Sequence, residues 1–484
     1  MKIFVTGATG FIGRAAVTYL QGQGHDIIAW VRSPDRARSV LGNGPELLDV
    51  NSSRQELRQH LETSDAVLNL AGKPLIGNIW TKANKKAFWE SRVGLTSTLS
   101  EEIRKCTSPP AVLVSGSAVG FYGDRGDEIL TEESKEGEGF PSDLCRAWEK
   151  AALDTESNRT RVCVLRLGIV LGREGGILGL LTPFFQTGIG GYLGNGLQYI
   201  PWINLLDVLR IIKDCIEQPS FSGIFNCTSP NPVRSREFSR QVASLTSAKI
   251  VIRVPTFLPK MVLGEAGGHF AIGQYVTPAR LIDNGFKFAF DNIIESLHYE
   301  YDYKDISIKK FDRLSTSMEQ DKIIGQHAKR GHYELRSTSD LNTDPETAFS
   351  FFSSPLNLGL ATPSWVGFQI KEAPETISVG ARISYTIRVL GIPFRWVTEI
   401  IAWEPVDRFI DIQTRGPYSL WCHEHIIRRK EDGQTVMEDR VIYKMPLGIL
   451  GRVIHRLMVM DQLKRIFRFR QRVIALRFGG SKPN

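Results

Sequence analysis

A glycine-rich turn near the N-terminus constrains the fold of this chain more than any other feature of its sequence. The segment Gly7-Ala8-Thr9-Gly10-Phe11-Ile12-Gly13 follows an apolar run, Lys2–Val5, and opens a stretch with helical spacing. Gly7 permits a tight turn, Gly10 lets a pyrophosphate approach the backbone, and Gly13 lets the helix pack closely on the strand. The turn therefore predicts a Rossmann-type domain that binds a dinucleotide, with contacts at Gly7, Thr9, Gly10, Phe11, Ile12 and Gly13.

The pattern after this turn is that of an α/β domain. Short apolar runs alternate with amphipathic stretches, and the runs are Asp26–Val31, Ala66–Leu70, Ala111–Ser115 and Arg161–Arg166. Such alternation predicts βαβ units and a parallel sheet. The pattern loosens after residue 175, where a glycine-rich loop is expected at Gly188–Gly196. We therefore expect a Rossmann-type parallel sheet with a small C-terminal cap over residues 1–300.

The end of the second predicted strand indicates which dinucleotide is bound. NAD-binding domains usually carry Asp or Glu there, to hold the ribose 2′-hydroxyl. Here the strand ends at Val31 and is followed by Arg32. A guanidinium can pair with a 2′-phosphate through two charge-assisted hydrogen bonds. The sequence therefore favours NADP over NAD.

Further motifs follow the order of one large family of nucleotide-binding proteins. They are Asn69-Leu70-Ala71-Gly72, Glu90-Ser91-Arg92-Val93, Val114-Ser115-Gly116-Ser117-Ala118, Trp148-Glu149 and Trp202–Asp207. Residues 1–300 resemble the atypical, or extended, short-chain dehydrogenase/reductase superfamily, in particular the uncharacterised branch of the NAD-dependent epimerase/dehydratase group. The resemblance implies further cofactor contacts at Asp49, Val50, Leu70, Ala71, Gly72, Arg92 and Ser115.

The chain departs from this superfamily at the residues that usually carry the chemistry. A tyrosine there acts as general acid and base, and a lysine four residues later lowers its pKa. None of the 12 tyrosines here has a lysine at that spacing, and alignment on Glu149 puts the expected pair at Pro141 and Cys145. The remaining catalytic candidates are Ser117, which would orient a substrate oxygen, and Tyr122, which either reaches the nicotinamide face or simply packs.

Two functions stay open for this domain. The first is an NADP-dependent oxidoreductase that acts on a small carbonyl or hydroxyl compound, with Tyr122, Ser117 or water as the proton source. Such an enzyme needs few residues, because hydride transfer itself belongs to the cofactor. The second is a non-catalytic NADP-binding protein with a regulatory or ligand-carrier role. The sequence favours the first and does not identify a substrate.

A second domain is predicted over residues 333–480, after a polar linker at residues 301–332. Its strand-like segments are Tyr333–Asp340, Ala381–Val389, Thr398–Trp403, Arg408–Thr414, His423–Arg428 and Thr435–Tyr443. Helices are expected at Pro345–Phe352 and from about Leu450 to Arg477, the second with an apolar stripe at Val453, Leu457, Met460, Leu463 and Phe467. This order predicts a separate α+β domain in which an antiparallel sheet wraps the long final helix.

The second domain resembles the START-like (SRPBCC), helix-grip superfamily. The features that carry the resemblance are Ala348–Phe352, Trp403-Glu404-Pro405, Trp421–His425 and Asp439–Tyr443. The resemblance implies a cavity for a hydrophobic ligand. His423 and His425 alternate on one strand face, but no third metal ligand is evident in the sequence. A hydrogen-bonded histidine pair is the favoured interpretation, and no metal is assigned.

Composition argues against several other classes of protein. Six cysteines are widely spaced without a Cys-x-x-Cys pair, which argues against a zinc ribbon and is typical of a reducing compartment. The net charge of +8 fits an anionic partner, but no nucleic-acid-binding module accompanies it. The sequence shows neither a signal-peptide pattern nor an apolar run of about 18 residues. We therefore expect a cytoplasmic protein with a small-molecule substrate, no nucleic-acid partner and no stable membrane insertion.

Overall fold

The apolar run at the N-terminus forms a central strand of a parallel sheet. The seven strands of this sheet are Lys2–Thr6 (β1), Asp26–Val31 (β2), Glu46–Asp49 (β3), Ala66–Asn69 (β4), Val112–Ala118 (β5), Arg161–Leu167 (β7) and Gly223–Cys227 (β12). They lie in the order β12-β7-β5-β4-β1-β2-β3, and every neighbouring pair is parallel. The strand order reverses between β1 and β4, where α/β sheets of this kind bind ligands. The predicted Rossmann-type sheet is confirmed.

The computed structural model describes residues 1–269, 272–302, 305–311, 321–374, 376–389, 392–431 and 433–479. These residues divide into two units. The N-terminal unit comprises Met1–Leu20, Gly24–Arg32 and Pro45–Asp302. The C-terminal unit comprises the described residues among Gln21–Gln23, Ser33–Gly44 and Tyr303–Asn484. No helix among the described residues has the length and apolar character needed to cross a bilayer.

The helices up to residue 302 follow the strands in the alternation that the sequence predicts. They are Phe11–Gly22 (α1), Pro34–Leu41 (α2), Arg54–Glu62 (α3), Lys82–Trp89 (α4), Leu95–Lys105 (α5), Phe140–Leu153 (α6), Gly176–Phe185 (α7), Leu205–Glu217 (α8), Ser235–Ser244 (α9), Phe257–Leu263 (α10), Glu265–His269 (α11), Ala279–Asp283 (α12) and Ile293–Tyr301 (α13). A π-helical turn at Glu90–Gly94 joins α4 to α5, and a 3-10 turn at Val119–Tyr122 follows β5. Strand and helix side chains such as Phe4, Val67 and Leu99 form a fully buried core.

Short strands complete the N-terminal unit. They are Ile129–Leu130 (β6), Ile169–Leu171 (β8), Ile189–Leu193 (β9), Tyr199–Ile200 (β10), Trp202–Asn204 (β11), Val233–Arg234 (β13), Ile250–Val254 (β14) and Tyr275–Val276 (β15). The segment predicted as a glycine-rich loop contains β9, which pairs in parallel with β14. Glycine is required within this strand for packing, because a Cβ at Gly190 would come 2.6 Å from the ring of Phe185. Gly190 therefore indicates close packing within a strand, whereas Gly188, Gly194 and Gly196 have positive φ values and form the turns that flank it.

Eight antiparallel strands form the sheet of the C-terminal unit. They are Ile306–Lys310 (β16), Tyr333–Leu341 (β17), Gln369–Glu372 (β18), Arg382–Val389 (β19), Ile392–Glu404 (β20), Arg408–Arg415 (β21), Leu420–Arg429 (β22) and Thr435–Lys444 (β23). Their order is β16-β17-β23-β22-β21-β20-β19-β18. The helices are Lys322–Ala328 (α14), Pro345–Phe352 (α15), Gly448–Ile454 (α16) and Met460–Phe478 (α17), with 3-10 turns at Pro355–Asn357 and Ser364–Val366 and a π-helical turn at His455–Val459. The separate antiparallel domain is confirmed.

The range predicted as a linker contains secondary structure. β16 lies within residues 301–332 and pairs with β17, and α14 also falls in this range, while residues 303–304 and 312–320 lie outside the described residues. The sequence of β16, Ile306-Ser307-Ile308-Lys309-Lys310, alternates apolar and polar residues only briefly, as expected of an edge strand. Its polar composition therefore reflects the edge of a sheet.

The predicted apolar stripe of the final helix divides into two parts. Leu463 and Phe467 are buried in a cluster with Trp396 and Trp421. Val453 and Leu457 are instead 49% and 74% exposed. The π-helical turn at His455–Val459 contains Leu457 and separates Val453 from Leu463. It changes the helical phase, so residues at a regular helical spacing no longer share one face.

Candidate functional site

The glycine turn lies between β1 and α1, at the point where the strand order reverses. Gly7 has a φ of +68°, and a Cβ at this residue would come 2.5 Å from the carbonyl oxygen of Leu70. A Cβ at Gly13 would come 2.1 Å from the carbonyl oxygen of Gly7. Thr9 and Gly10 are exposed. The turn is thus closed toward the protein interior and open toward solvent at the start of α1, as binding of a phosphate group requires.

The loop after β4 closes one side of the turn. The Thr6 hydroxyl donates to Asn69 Oδ1 at 2.7 Å and accepts from the backbone N–H of Ala71 at 3.2 Å. The side-chain amide of Asn69 donates to Ser115 Oγ at 3.1 Å. These bonds tie the loop Leu70–Gly72 to both neighbouring strands. Ser115 is fully buried, so its side chain positions this loop.

A largely buried guanidinium faces the same loop. Arg92 lies in the π-helical turn, and a Cβ built on Gly72 would come 2.9 Å from Arg92 Cζ. Arg92 Nη1 donates to the carbonyl oxygen of Lys73 at 2.8 Å, and the ring of Trp148 lies 5.3 Å from Cζ. Burial lowers the pKa of Arg92 to about 10. Within the described part of the chain, no ion pair joins Arg92 to a carboxylate, so its charge is available to an anionic ligand.

The predicted specificity residue follows β2. Arg32 is exposed, and it forms neither an ion pair nor a hydrogen bond through its side chain with another described residue. Asp49 and Val50 lie at the end of β3. The backbone N–H of Val50 donates to the carbonyl oxygen of Val31 at 2.9 Å, and Asp49 Oδ1 accepts from the backbone N–H of Asn51 at 2.8 Å. The guanidinium of Arg32 is therefore free, whereas the Asp49 carboxylate is partly engaged by its own turn.

Phe11 and Ile12 begin α1 and are both half-buried. The ring of Phe11 packs on a glycine-rich segment that follows β8. A Cβ at Gly172, Gly175 or Gly176 would lie 2.7, 2.6 or 3.3 Å from the Phe11 ring. This segment forms a second wall beside the turn, and only residues without side chains fit against the ring.

Ser117, at the carboxyl end of β5, belongs to a buried polar network. Its hydroxyl donates to Glu149 Oε1 at 2.6 Å. Two nitrogens of Arg166 also hold Glu149, with Nε 2.9 Å from Oε1 and Nη2 2.8 Å from Oε2. All three residues are at most 4% exposed. The Ser117 proton is therefore directed to Glu149 and away from solvent.

Tyr122 lies in the same network and is fully buried. Its Oη donates to Asn226 Oδ1 at 2.6 Å and accepts from Arg166 Nη1 at 2.8 Å. Burial raises the pKa of Tyr122 to about 12. This position does not support the catalytic role that the sequence indicated, because the hydroxyl is enclosed by protein and stays protonated. Tyr122 instead joins neighbouring strands in the core.

The positions expected to hold the tyrosine and lysine also face the interior. Cys145, in α6, is 5% exposed, and burial raises the pKa of its thiol to about 12. Pro141 packs on Gly120, with 3.4 Å between Pro141 Cβ and a Cβ built on that glycine. Neither residue supplies a proton near neutral pH. Since neither these two residues nor Tyr122 can supply the proton, water remains as a proton source.

Sequence reasoning assigned no role to Arg166. The signal was present, because Arg166 is a charged residue that follows four apolar residues of its strand, and Glu149 belongs to the Trp148-Glu149 motif. A buried charge requires a partner. That requirement links Arg166 to Glu149, although the pairing of two such distant residues depends on the fold.

The C-terminal unit contains a cavity of about 190 Å³ between its sheet and α17. Aromatic side chains line much of it, including Tyr385, Trp396, Trp403, Phe409, Trp421 and Phe467. One wall is polar and carries Asp411, His423, His425 and Arg470. The cavity therefore combines apolar space with a localised polar cluster, as small-molecule sites do, but its volume is below their usual range of about 300–1,000 Å³.

Comparisons with known proteins identify the family of the N-terminal unit. Residues 3–227 match the family model described as the NAD dependent epimerase/dehydratase family. The epimerase family protein SDR39U1 homolog, chloroplastic, of Arabidopsis thaliana is 37% identical over 299 residues, which cover 61% of this chain and 86% of that protein. This chain belongs to the epimerase family. The family resemblance that the motif order indicated is confirmed.

Other members of the epimerase family match the same region. The human epimerase family protein SDR39U1 is 30% identical over 297 residues, covering 60% of this chain and 97% of that protein. Its crystal structure with NADPH aligns with a TM-score of 0.57 and 29% identity, over 62% of this chain and 99% of that chain. A nucleoside-diphosphate sugar epimerase from Corynebacterium glutamicum aligns with a TM-score of 0.51 and 30% identity, over 67% of this chain and 61% of that chain.

A second family model covers the end of the N-terminal unit. Residues 254–299 match a domain of unknown function, DUF1731. Both matched family models thus lie within residues 3–299. The START-like resemblance of the C-terminal unit remains a prediction.

Proposed function

We propose that the N-terminal unit binds NADP(H) and exchanges hydride with a small carbonyl or hydroxyl compound. The observation that carries this proposal is the close packing of backbone at Gly7 and Gly13, where a single added methyl group would clash with a carbonyl oxygen. Such close approach of backbone to backbone is what a dinucleotide-binding turn needs. The structure of human SDR39U1 with NADPH supports the choice of cofactor.

The residues around the crevice fit an anionic dinucleotide. The start of α1 would hold the pyrophosphate, since the N-terminus of a helix favours negative charge. Beside the loop Leu70–Gly72, Arg92 offers a desolvated positive charge that no carboxylate among the described residues pairs with. Arg32 would pair with the 2′-phosphate, because its exposed guanidinium has no other described partner. Together these groups favour NADP over NAD.

The protein's own contribution to chemistry is positioning. When bound, the nicotinamide supplies or accepts the hydride. Ser117 and Tyr122 are committed to Glu149 and Asn226, and the pKa of the Cys145 thiol is too high for proton transfer near neutral pH. The proton then comes from water. We expect slow turnover, because a positioned acid usually contributes about 10²–10⁴-fold to rate.

The enclosure of the Ser117 and Tyr122 hydroxyl groups in the core favours a second candidate function. A domain that binds NADP(H) while its hydroxyl groups stay locked in the core can serve as a non-catalytic regulatory or carrier protein. This candidate predicts cofactor binding without turnover. The two functions therefore differ in one measurable property, which is hydride transfer.

The test is NADPH oxidation by the full-length chain with a panel of aldehydes and ketones, followed by absorbance. An oxidoreductase gives steady turnover that is lost in Gly10→Asp, which places a carboxylate at the turn. Asn158→Asp is the charge-matched control, because Asn158 is exposed and precedes β7, at the edge of the parallel sheet opposite the turn. Tight NADPH binding without turnover on any compound would favour the non-catalytic function.

We further propose that the C-terminal unit is a START-like domain that holds a hydrophobic ligand. The aromatic lining of its cavity supports this proposal. Fluorescence of an environment-sensitive fatty-acid probe should rise on addition of the full-length chain. A bulky residue at the cavity, Ala361→Trp, should reduce the signal, and an unchanged signal would contradict the assignment.

A further inference from the structure

An acid and two imidazoles meet on one face of the C-terminal sheet. The register of β21 and β22 puts Asp411 directly opposite His423. His425 shares this face, because side chains alternate along a strand. Asp411 Oδ2 lies 3.1 Å from His425 Nε2 and 3.9 Å from His423 Nδ1. All three side chains line the aromatic cavity.

A second carboxylate lies behind the two imidazoles. Asp439, on β23, has its Oδ1 3.0 Å from His423 Nε2 and 3.0 Å from His425 Nδ1. His423 can therefore donate its Nε2–H to Asp439 while its Nδ1 is directed to Asp411. His425 Nδ1 accepts from Arg470 Nη2, so the ring proton of His425 lies on Nε2 and is donated to Asp411. A metal ion bound at this nitrogen would displace that proton. Arg470 Nε holds Asp439 Oδ2 at 3.1 Å, and its Nη2 lies 3.2 Å from His425 Nδ1. A carboxylate in this position fixes the tautomer and orientation of metal-binding histidines.

We propose that Asp411, His423 and His425 bind one divalent transition-metal ion at the wall of the C-terminal cavity. Ligand distances of about 2.0–2.2 Å in a tetrahedral site place neighbouring ligand atoms about 3.3–3.6 Å apart. The separation from Asp411 Oδ2 is 3.1 Å for His425 Nε2 and 3.9 Å for His423 Nδ1, so shifts of a few tenths of an ångström bring both nitrogens into this range. Two imidazoles and one carboxylate form the ligand set of zinc and mononuclear iron sites that keep open positions.

The charges of the cluster favour a cation. The cluster contains two buried carboxylates, Asp411 and Asp439, and only Asp439 pairs with the guanidinium of Arg470. No other lysine or arginine of the described chain pairs with Asp411 or Asp439. These two acids and the two histidines are each at most 9% exposed. Buried charges are normally paired or coordinate metals, and a divalent ion would supply the missing positive charge.

The open coordination positions would face the apolar cavity. The ring of Phe409 stacks on His425 with 4.1 Å between centroids, so the ligands are enclosed on that side. The cavity side is the direction left for a further ligand. A molecule with an apolar body and one oxygen donor, such as a carboxylate or hydroxyl, fits both features. This last step rests on the proposed hydrophobic ligand, whereas metal binding does not.

The test uses the full-length chain after treatment with a chelator. Titration with Co²⁺, followed by visible absorption, should show one ion per chain and a spectrum distinct from that of aqueous Co²⁺. Calorimetry with Zn²⁺ should show at least about 100-fold weaker binding in Asp411→Asn and His425→Gln, and about 10- to 100-fold weaker binding in Asp439→Asn. His332→Gln, in the same unit but outside the cluster, is the control and should bind as the wild type does.

Three results would overturn the proposal: no stoichiometric binding, an aqueous-like Co²⁺ spectrum, or Zn²⁺ binding retained in both ligand variants. Circular dichroism checks that each variant folds. Where a variant does not fold, the stoichiometry and spectrum of the wild type decide. NADPH binding should be the same with and without Zn²⁺, so failure of the cofactor proposal is measured separately. Loss of thermal stability in the variants without any metal binding would assign the cluster to a structural hydrogen-bond network.

Discussion

Ser117 donates a hydrogen bond of 2.6 Å to Glu149, and this bond closes a network that contains no exposed member. Arg166 holds both carboxylate oxygens of Glu149 and also donates to Tyr122. The two residues that the sequence offered for catalysis are thus joined through one arginine. The network stabilises the carboxyl ends of the strands beside the cofactor crevice, and its groups are already satisfied by one another.

Removing Arg166 tests this relationship. Arg166→Met leaves Glu149 as a buried, unpaired carboxylate, and we expect a loss of about 3–5 kcal/mol in the free energy of unfolding of the N-terminal unit. The double variant Arg166→Met, Glu149→Gln should lose less, because it removes the uncompensated charge. Urea unfolding measures both. The control is Arg125→Met, which breaks an exposed ion pair with Glu128 and should change little. A double variant less stable than the single one would contradict the account.

Gly13 tests the packing of the cofactor turn. Gly13→Ala brings a methyl group to 2.1 Å from the Gly7 carbonyl oxygen, so the helix and turn must separate. We expect a loss of about 1–3 kcal/mol in stability, as for overpacking elsewhere, and weaker NADPH binding. Gly94→Ala, with open space around the added methyl, should be neutral or slightly stabilising. Calorimetry and urea unfolding measure the two effects, and equal behaviour of the two variants would refute the packing argument.

Tyr122 gives stability a defined dependence on alkaline pH. Its pKa is about 12 in the folded chain, against about 10 when unfolded. The unfolded chain therefore loses this proton first, and the contribution of Tyr122 is complete below pH 10 and falls as pH rises toward 12. The fall reaches about 2–3 kcal/mol. Tyr122→Phe has no phenol to ionise and so lacks this loss. The difference in free energy of unfolding between wild type and variant should therefore shrink between pH 10 and 12 in urea unfolding. A constant difference would show that the phenol ionises normally.

The cysteines offer a simple chemical check of both units. All six are buried and unpaired in the structure, and burial raises the pKa of Cys145 to about 12. Thiolates, and not thiols, react with disulfide reagents. Hydrogen bonding to Cys215 and the nearby Arg161 instead lower the pKa of Cys163, so slow reaction at that thiol depends on its burial alone. The native chain should react slowly at all six positions, and the unfolded chain should react with six equivalents of reagent at once. Rapid reaction of one thiol in the native chain would reveal an accessible site that the structure lacks.

Local patterns predicted much of the fold. The turn from Gly7 to Gly13 and the helix Pro345–Phe352 could be read from sequence because they depend on neighbouring residues. The parallel sheet could also be predicted, because few chain topologies are compatible with alternating strands and helices. The edge strand β16 was missed, because its short polar sequence is also typical of a linker.

The candidate sites depended on contacts that sequence patterns do not show. Whether Tyr122 faces a substrate or the core is decided by Arg166 and Asn226, which lie on separate strands. The metal cluster has the same origin. Asp411 lies beside the histidine pair only because of the register of β21 and β22. The sequence therefore indicated His423 and His425 but could not indicate the third proposed ligand.

Calorimetric titration of the purified chain with NADPH and NADH, in wild type and Arg32→Ala, tests the central claim most directly. The account predicts tight NADPH binding that Arg32→Ala weakens by about 1.5–3 kcal/mol, as for the loss of a hydrogen bond to a charged group. NADH binding should change little, because it lacks the 2′-phosphate. Absence of binding to either dinucleotide, or equal weakening of both by Arg32→Ala, would contradict the account.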